Sequence, residues 1–117
     1  MDELFRDMYV AFIRVHLLFH AVESPFYGLE MLEELARHGY KLSPGTLYPV
    51  LHGLESRGLL TCEKRLVNGR IRKYYRATEK GREALERVRP QIRELVREVL
   101  AGELAQPATK ETGIDAT

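Results

Sequence analysis

Helical periodicity dominates the hydrophobic pattern, and one stretch of strand-like alternation interrupts it. From residue 3 to about residue 22, Leu4, Met8, Ala11, Val15, Leu18 and Val22 form one apolar stripe of a helix. Phe5, Tyr9, Phe12, His16 and Phe19 form a second, rotated from the first by about 100° per residue. A helix that packs only on its own domain needs a single stripe. Two stripes predict that one faces the local core and the other a second subunit. After the Ser24-Pro25 break, a second helix runs from Tyr27 to near Gly39. Leu29, Leu32 and Leu35, with Met31 and Ala36, are its expected inner face, and Glu30, Glu33 and Glu34 are solvated. Tyr40-Lys41-Leu42 is a short connection.

Ser43 is a suitable N-cap for a third helix, and Pro44 fits its first position, where a missing amide costs nothing. Leu47, Val50, Leu51 and Leu54 recur at i, i+3, i+4 and i+7, and Gly58 follows as a C′ residue with Arg57 in the last turn. The opposite face shows Thr46, Tyr48, His52 and Glu55, a hydrogen-bonding surface. Pro49 leaves two readings open on pattern alone: two short turns broken at the proline, or one helix running through it.

Alternation then takes over. Leu59 to Val67 and Arg70 to Ala77 flank Asn68-Gly69, the strongest short-range signal for a hairpin. A two-residue turn pairs Val67 with Arg70, Leu66 with Ile71, Arg65 with Arg72 and Lys64 with Lys73. Leu60, Cys62, Leu66, Ile71, Tyr75 and Ala77 are the expected buried face. Like charges placed directly across a sheet destabilise it by up to about 1 kcal/mol per pair. A basic hairpin tip is either a solubilising edge or a surface whose charge a phosphate backbone neutralises, and the stacking of four cations beside Arg70 favours the second.

Thr78 caps a last helix, in which Leu85, Val88, Ile92, Leu95 and Val99 form a narrow heptad seam among Glu and Arg, suited to a partner helix. Pro90 is expected to kink or interrupt it near Glu86. The resulting organisation is mainly α (α+β): a domain over residues 1–78, a helix over 79–101 and an aperiodic tail, expected to be disordered, over 102–117.

At 117 residues with 44% hydrophobic and 30% charged content, the chain suits one soluble globular domain. Its net charge of +1 is uninformative, but its distribution is not: residues 1–40 carry net −4, residues 41–76 net +6, and residues 77–117 net −1. Positive charge confined to the middle third is the footprint expected of a polyanion-binding surface. Cys62 stands alone, so no intrachain disulfide forms; it reads as a small buried apolar residue in a reducing compartment. No apolar run approaches the roughly 20 residues of a membrane span, and the acidic start lacks a signal peptide's basic region, so a cytoplasmic location is expected.

His16 and His20 have ligand spacing on a helix, but neither a third ligand nor an intervening Glu lies nearby in sequence; a hydrogen-bonded pair, no metal and no cofactor are expected. No Ser/His/Asp or Cys/His set, phosphate loop or flanking carboxylate pair is present, so an enzyme is not expected.

Ser43-Pro44-Gly45-Thr46-Leu47-Tyr48-Pro49, followed by Leu54-Glu55 and Gly58-Leu59-Leu60, resembles the recognition-helix signature of the PadR family of winged helix-turn-helix regulators. Tyr27-Gly28-Leu29-Glu30 resembles the family's opening of the first helix of the helix-turn-helix, and Arg70 to Thr78 with Gly81 resembles its wing. The resemblance covers roughly residues 10–100. It implies one helix through Pro49 that enters the DNA major groove, dimerisation through the first and last helices, and repression that ligands can loosen. The single short last helix departs from longer members that carry an extended helical C-terminal domain, so no separate effector domain is expected, and the sequence holds none of the tryptophan that several ligand-responsive members use in the dimer pore.

The expected function is thus a dimeric, sequence-specific DNA-binding repressor acting on a double-stranded operator, with a small aromatic effector. The alternative is a winged helix that binds protein. Expected DNA contacts are Ser43, Pro44, Gly45, Thr46, Tyr48 and His52 on the helix and Lys64, Arg65, Asn68, Gly69, Arg70, Arg72, Lys73 and Tyr74 on the wing. Expected dimer contacts are Phe5, Tyr9, Phe12, Phe19, Leu85, Val88, Ile92, Leu95 and Val99.

Overall fold

Periodicity sets where helices form, but packing selects which apolar face of each is used. The computed structural model describes residues 2–104. In α1 (Asp2–Glu23) the buried residues are Ile13, Leu17, Leu18 and Ala21. Only Leu18 belongs to the stripe expected to face the core. Leu4 and Met8 of that stripe are exposed, as are Phe5, Phe12 and Phe19 of the other. The core is therefore met by a third face, built on Ile13, Leu17 and Ala21. Asp2 to Met8 are all exposed.

β1 (Phe26–Tyr27) was not visible in the pattern, because two residues are too few to show alternation. It leads directly into α2 (Gly28–Arg37), where the Glu30 carboxylate accepts the Tyr27 amide at 3.4 Å. Met31 and Leu35 point into the core; Leu29, expected there, is 60% exposed.

α3 (Pro44–Ser56) is one helix through Pro49. The bond lost at Pro49 would have gone to the Gly45 carbonyl. Both residues are exposed, so water can serve that oxygen, and glycine presents no side chain to the proline ring. At the far end Gly58 takes φ +80°; its amide reaches Glu55 O at 2.9 Å and the Leu59 amide reaches Leu54 O at 2.9 Å, the paired bonds of a Schellman stop.

β2 (Leu60–Val67) and β3 (Arg70–Ala77) pair in the expected register, from Val67 opposite Arg70 to Leu60 opposite Ala77. Asn68 at φ 50° and Gly69 at φ 78° supply the two left-handed residues such a turn demands. β1 adds to the other edge of β3, giving an antiparallel sheet in the order β1-β3-β2. Leu47, Leu51 and Leu54 of α3 are buried, as are Leu60, Tyr75 and Ala77 at the base of the hairpin and Phe26, Met31 and Leu35. Leu66 and Ile71, expected on the buried face, are 75% and 70% exposed, because the hairpin tip extends past the helices that cover its base.

α4 (Glu79–Val99) starts at Thr78, whose hydroxyl accepts the Gly81 amide at 3.0 Å and donates to Gly58 O at 2.6 Å. The helix continues through Pro90 without interruption. The chain forms two compact units that divide after Leu85. Leu85, expected in the partner seam, is instead buried in the first unit's core; Val88 is half-buried, and Ile92, Leu95 and Val99 are exposed. Ala101–Leu104 adds a helical turn, α5, of which 102–104 fall in the stretch expected to be tail; the rest of that stretch, 105–117, lies outside the described residues. Among the described residues no helix is long and apolar enough to cross a membrane.

Candidate nucleic-acid interface

α3 offers its start and one flank to solvent. Ser43, Pro44, Gly45 and His52 are exposed and Thr46 is half-buried. Ser43 has the extended backbone of an N-cap, but its hydroxyl meets Thr46 Oγ1 at 3.3 Å rather than an amide. Its carbonyl instead accepts the amides of Thr46 and Leu47, each at 3.0 Å.

Tyr48 departs from expectation. It does not stand clear of the core but is half-buried, its ring laid over the start of α2. A Cβ at Gly28 would lie 2.1 Å from Tyr48 Oη and 2.5 Å from Cζ, so the contact exists only because residue 28 has no side chain. Tyr48 thereby braces the two helices of the helix-turn-helix, with His52 beside it at 6.2 Å between ring centroids.

The wing cations do not share one face. Strand alternation sends Lys64 and Lys73 to the side of Leu66 and Ile71, and Arg65, Arg70 and Arg72 to the opposite side with Tyr74. On that second side Arg65 lies over the Tyr74 ring at 4.4 Å, and Arg72 lies over the Tyr27 ring at 4.0 Å. The two rings meet edge to face at 5.5 Å. This row of guanidinium, ring, ring and guanidinium separates the like charges of the Arg65–Arg72 pair and holds each cation in place. Glu63 adds an ion pair to Arg65 at 3.5 Å. Tyr27 is the member that sequence reasoning missed. Its role arises from β1 pairing Tyr27 with Tyr74, a contact between segments far apart in the chain.

Of the residues expected to contact a second subunit, Phe5, Phe12 and Phe19 are 62%, 49% and 40% exposed, and Tyr9 is half-buried against Tyr40 at 5.1 Å. A cleft of about 380 Å³ opens between Phe5 and Tyr9 of α1 and Lys41, Ser43 and Thr46 at the start of α3.

The histidines of α1 have neighbours that the sequence does not show. Glu34 and His38 of α2 stand beside His20, supplying the additional ligand-type groups that were absent nearby in sequence. Burial, reinforced by the neighbouring imidazoles, holds His16 below the ordinary histidine pKa; burial also lowers His20, against a partly offsetting pull from Glu34. The Arg37 hydrogen bond, with one from His38, keeps the Glu34 carboxyl below its usual range.

The sequence of this chain matches the family described as "Transcriptional regulator PadR-like family" over residues 17–87. It is 51% identical over 98 residues to Transcriptional regulator Rv3488 of Mycobacterium tuberculosis, a match covering 84% of this chain and 92% of that protein. Among solved structures, a PadR family transcriptional regulator from Eggerthella lenta superposes with a TM-score of 0.68 at 32% identity, covering 91% of this chain and 96% of that one. A PadR-like transcriptional regulator from Bacillus cereus does so at 0.70 and 28% identity, over 83% and 99% of the respective chains. The winged-helix fold, the order of its motifs and these relatives place the chain in the PadR-like family of transcriptional regulators.

Proposed function

We propose that this regulator is a dimeric, sequence-specific DNA-binding repressor. The observation that carries the reading is the wing: the exposed Arg65 and half-buried Arg72 guanidinium groups steadied on Tyr74 and Tyr27, next in sequence to a helix that presents an uncovered N-terminal turn. Arginines so held suit phosphates or the minor groove, whereas the Gly45 amide and the positive end of the α3 dipole suit a phosphate beside the major groove. Ser43 to Thr46 and His52 then face the bases, and Tyr48 acts chiefly by fixing the angle of the helix. The exposed aromatic residues of α1 and the Ile92–Leu95–Val99 seam of α4 support a second copy as partner. A two-fold dimer of this kind needs operator half-sites about 34–36 Å apart. The cleft lined by Phe5 and Tyr9, with Arg6 and Lys41 at its rim, is of a size that suits a small aromatic effector. Such an effector shifts operator affinity only as far as it binds the two dimer forms unequally.

The test is a gel shift of the purified protein on DNA upstream of its own gene, at two salt concentrations. A specific shift at about 50 mM salt that weakens steeply by about 200 mM is the expected result. Absence of any shift at the lower salt would refute DNA binding and favour a protein partner for the wing.

A further inference from the structure

We propose that His20, Glu34 and His38 form a binding site for a divalent transition metal ion of the zinc, cobalt or nickel kind. Three of the four histidines in the chain, His16, His20 and His38, cluster ring against ring, and two of them, His20 and His38, stand at one carboxylate, Glu34. Glu34 Oε2 lies 3.0 Å from His38 Nε2 and 3.8 Å from His20 Nε2, and the three ligand atoms all lie within 4.8 Å of one another. Bonds of about 2.0–2.1 Å to a tetrahedral zinc ion put neighbouring ligand atoms roughly 3.3 Å apart. Small side-chain rotations therefore suffice to close the set around an ion, with no movement of either helix.

Two further features point to a ligand. His20 Nε2 is buried and has no hydrogen-bond partner, although it is aimed at the same carboxylate oxygen that His38 approaches. Arg37 occupies the other oxygen, Oε1, which orients the carboxylate and leaves Oε2 for the two imidazoles. A carboxylate held in this way from behind is the usual outer support of a metal ligand. An ordinary surface pair accounts for Glu34 and His38, four residues apart on α2, but not for a third group brought in from α1 with its ring nitrogen unsatisfied. His38 is 45% exposed, so water can complete the coordination, and His16 stacks on the His38 ring at 5.3 Å, limiting its rotation. Two imidazoles and one carboxylate select borderline cations over magnesium or calcium, which prefer all-oxygen shells. A bound ion would tie α1 to α2, the first helix of the helix-turn-helix, and this inference does not depend on DNA binding.

The experiment uses the full chain stripped with a chelator, titrated with zinc by calorimetry and with cobalt by visible absorption. One ion per chain is expected, with visible cobalt bands displaced by zinc and a rise in Tm on zinc addition. His38→Gln, at an exposed position where folding is not threatened, and Glu34→Gln should each weaken zinc binding by at least about tenfold. His52→Gln, on α3, should leave it unchanged. The proposal is overturned if the parent takes up no zinc at about 100 μM, or if His38→Gln and Glu34→Gln both bind it as the parent does, since the ion would then sit elsewhere.

Discussion

Gly81→Ala should destabilise the protein even though it improves the helix it sits in. A Cβ at this position would lie 2.2 Å from the Leu59 carbonyl oxygen, 3.2 Å from the carbon of that carbonyl and 3.4 Å from Ala77 Cβ. The nearest atom is backbone and cannot swing away as a side chain would. That same oxygen accepts the Thr78 amide at 3.1 Å, and Gly81 donates its own amide to the Thr78 hydroxyl at 3.0 Å. Relief of the clash requires the first turn of α4 to withdraw by about 1 Å, loosening this clasp. Overpacking costs about 1–3 kcal/mol, and a weakened hydrogen bond adds about 1 kcal/mol. Better helix propensity returns about 1 kcal/mol. The net expectation is a loss of about 2 kcal/mol, or roughly 8 °C in Tm at about 4 °C per kcal/mol. Urea unfolding followed by circular dichroism, at one fixed protein concentration, measures it. Gly102→Ala, where nothing lies within 4 Å of the added carbon, is the control and should change little. If Gly81→Ala proves as stable as the parent or more so, propensity outweighs the contact and the reasoning fails.

Arg65→Ala should weaken DNA binding about equally on operator and random sequence and reduce the salt slope by roughly 1, as read by gel shift over a salt series; an unchanged slope with altered base preference would contradict a phosphate role. Leu95→Glu, in the exposed seam of α4, should yield monomers in sedimentation and lose operator binding, because an unpaired charge is costly in an apolar interface. A variant that stays dimeric places the interface elsewhere. Tyr75 is buried without a hydrogen-bond partner, and burial, with the Cys62 thiol and Glu55 nearby, pushes its hydroxyl up to about 12. A native pKa above the ordinary value of 10 means that only the unfolded chain ionises first, so stability is intact below about pH 10 and falls as pH rises toward 12. Over about pH 10 to 11.5 this loss amounts to roughly 2 kcal/mol. Tyr75→Phe should remove it, and parallel pH–stability curves for the two proteins would refute the assignment.

What the sequence by itself determined was local. The hairpin register follows from Asn68-Gly69, since two left-handed residues in a two-residue loop leave one way to pair the strands. The bounds of α3 are set by Pro44 at its start and Gly58 at its end, and the Thr78 cap by a single side chain reaching three residues ahead. Each rests on dihedral preferences or hydrogen bonds confined to a few consecutive residues. Continuity through Pro49 was not decided that way; pattern alone left it open, and the family signature pointed to the unbroken helix found.

Only the tertiary structure decided the rest. α1 carries apolar side chains on several faces, and the positions of the sheet and α3 chose Ile13, Leu17 and Ala21 over both stripes that periodicity favoured. β1 exists because β3 offers it an edge, which brings Tyr27 to Arg72. The absence of a side chain at Gly28 draws Tyr48 inward, and the approach of α2 to α1 gathers His20, Glu34 and His38. Leu85 leaves an expected interface for the core, while Leu66 and Ile71 leave the core for solvent. Periodicity specifies a direction around a helix axis or across a strand. Whether another element lies in that direction depends on contacts between distant segments, whose free energy no local run of residues contains.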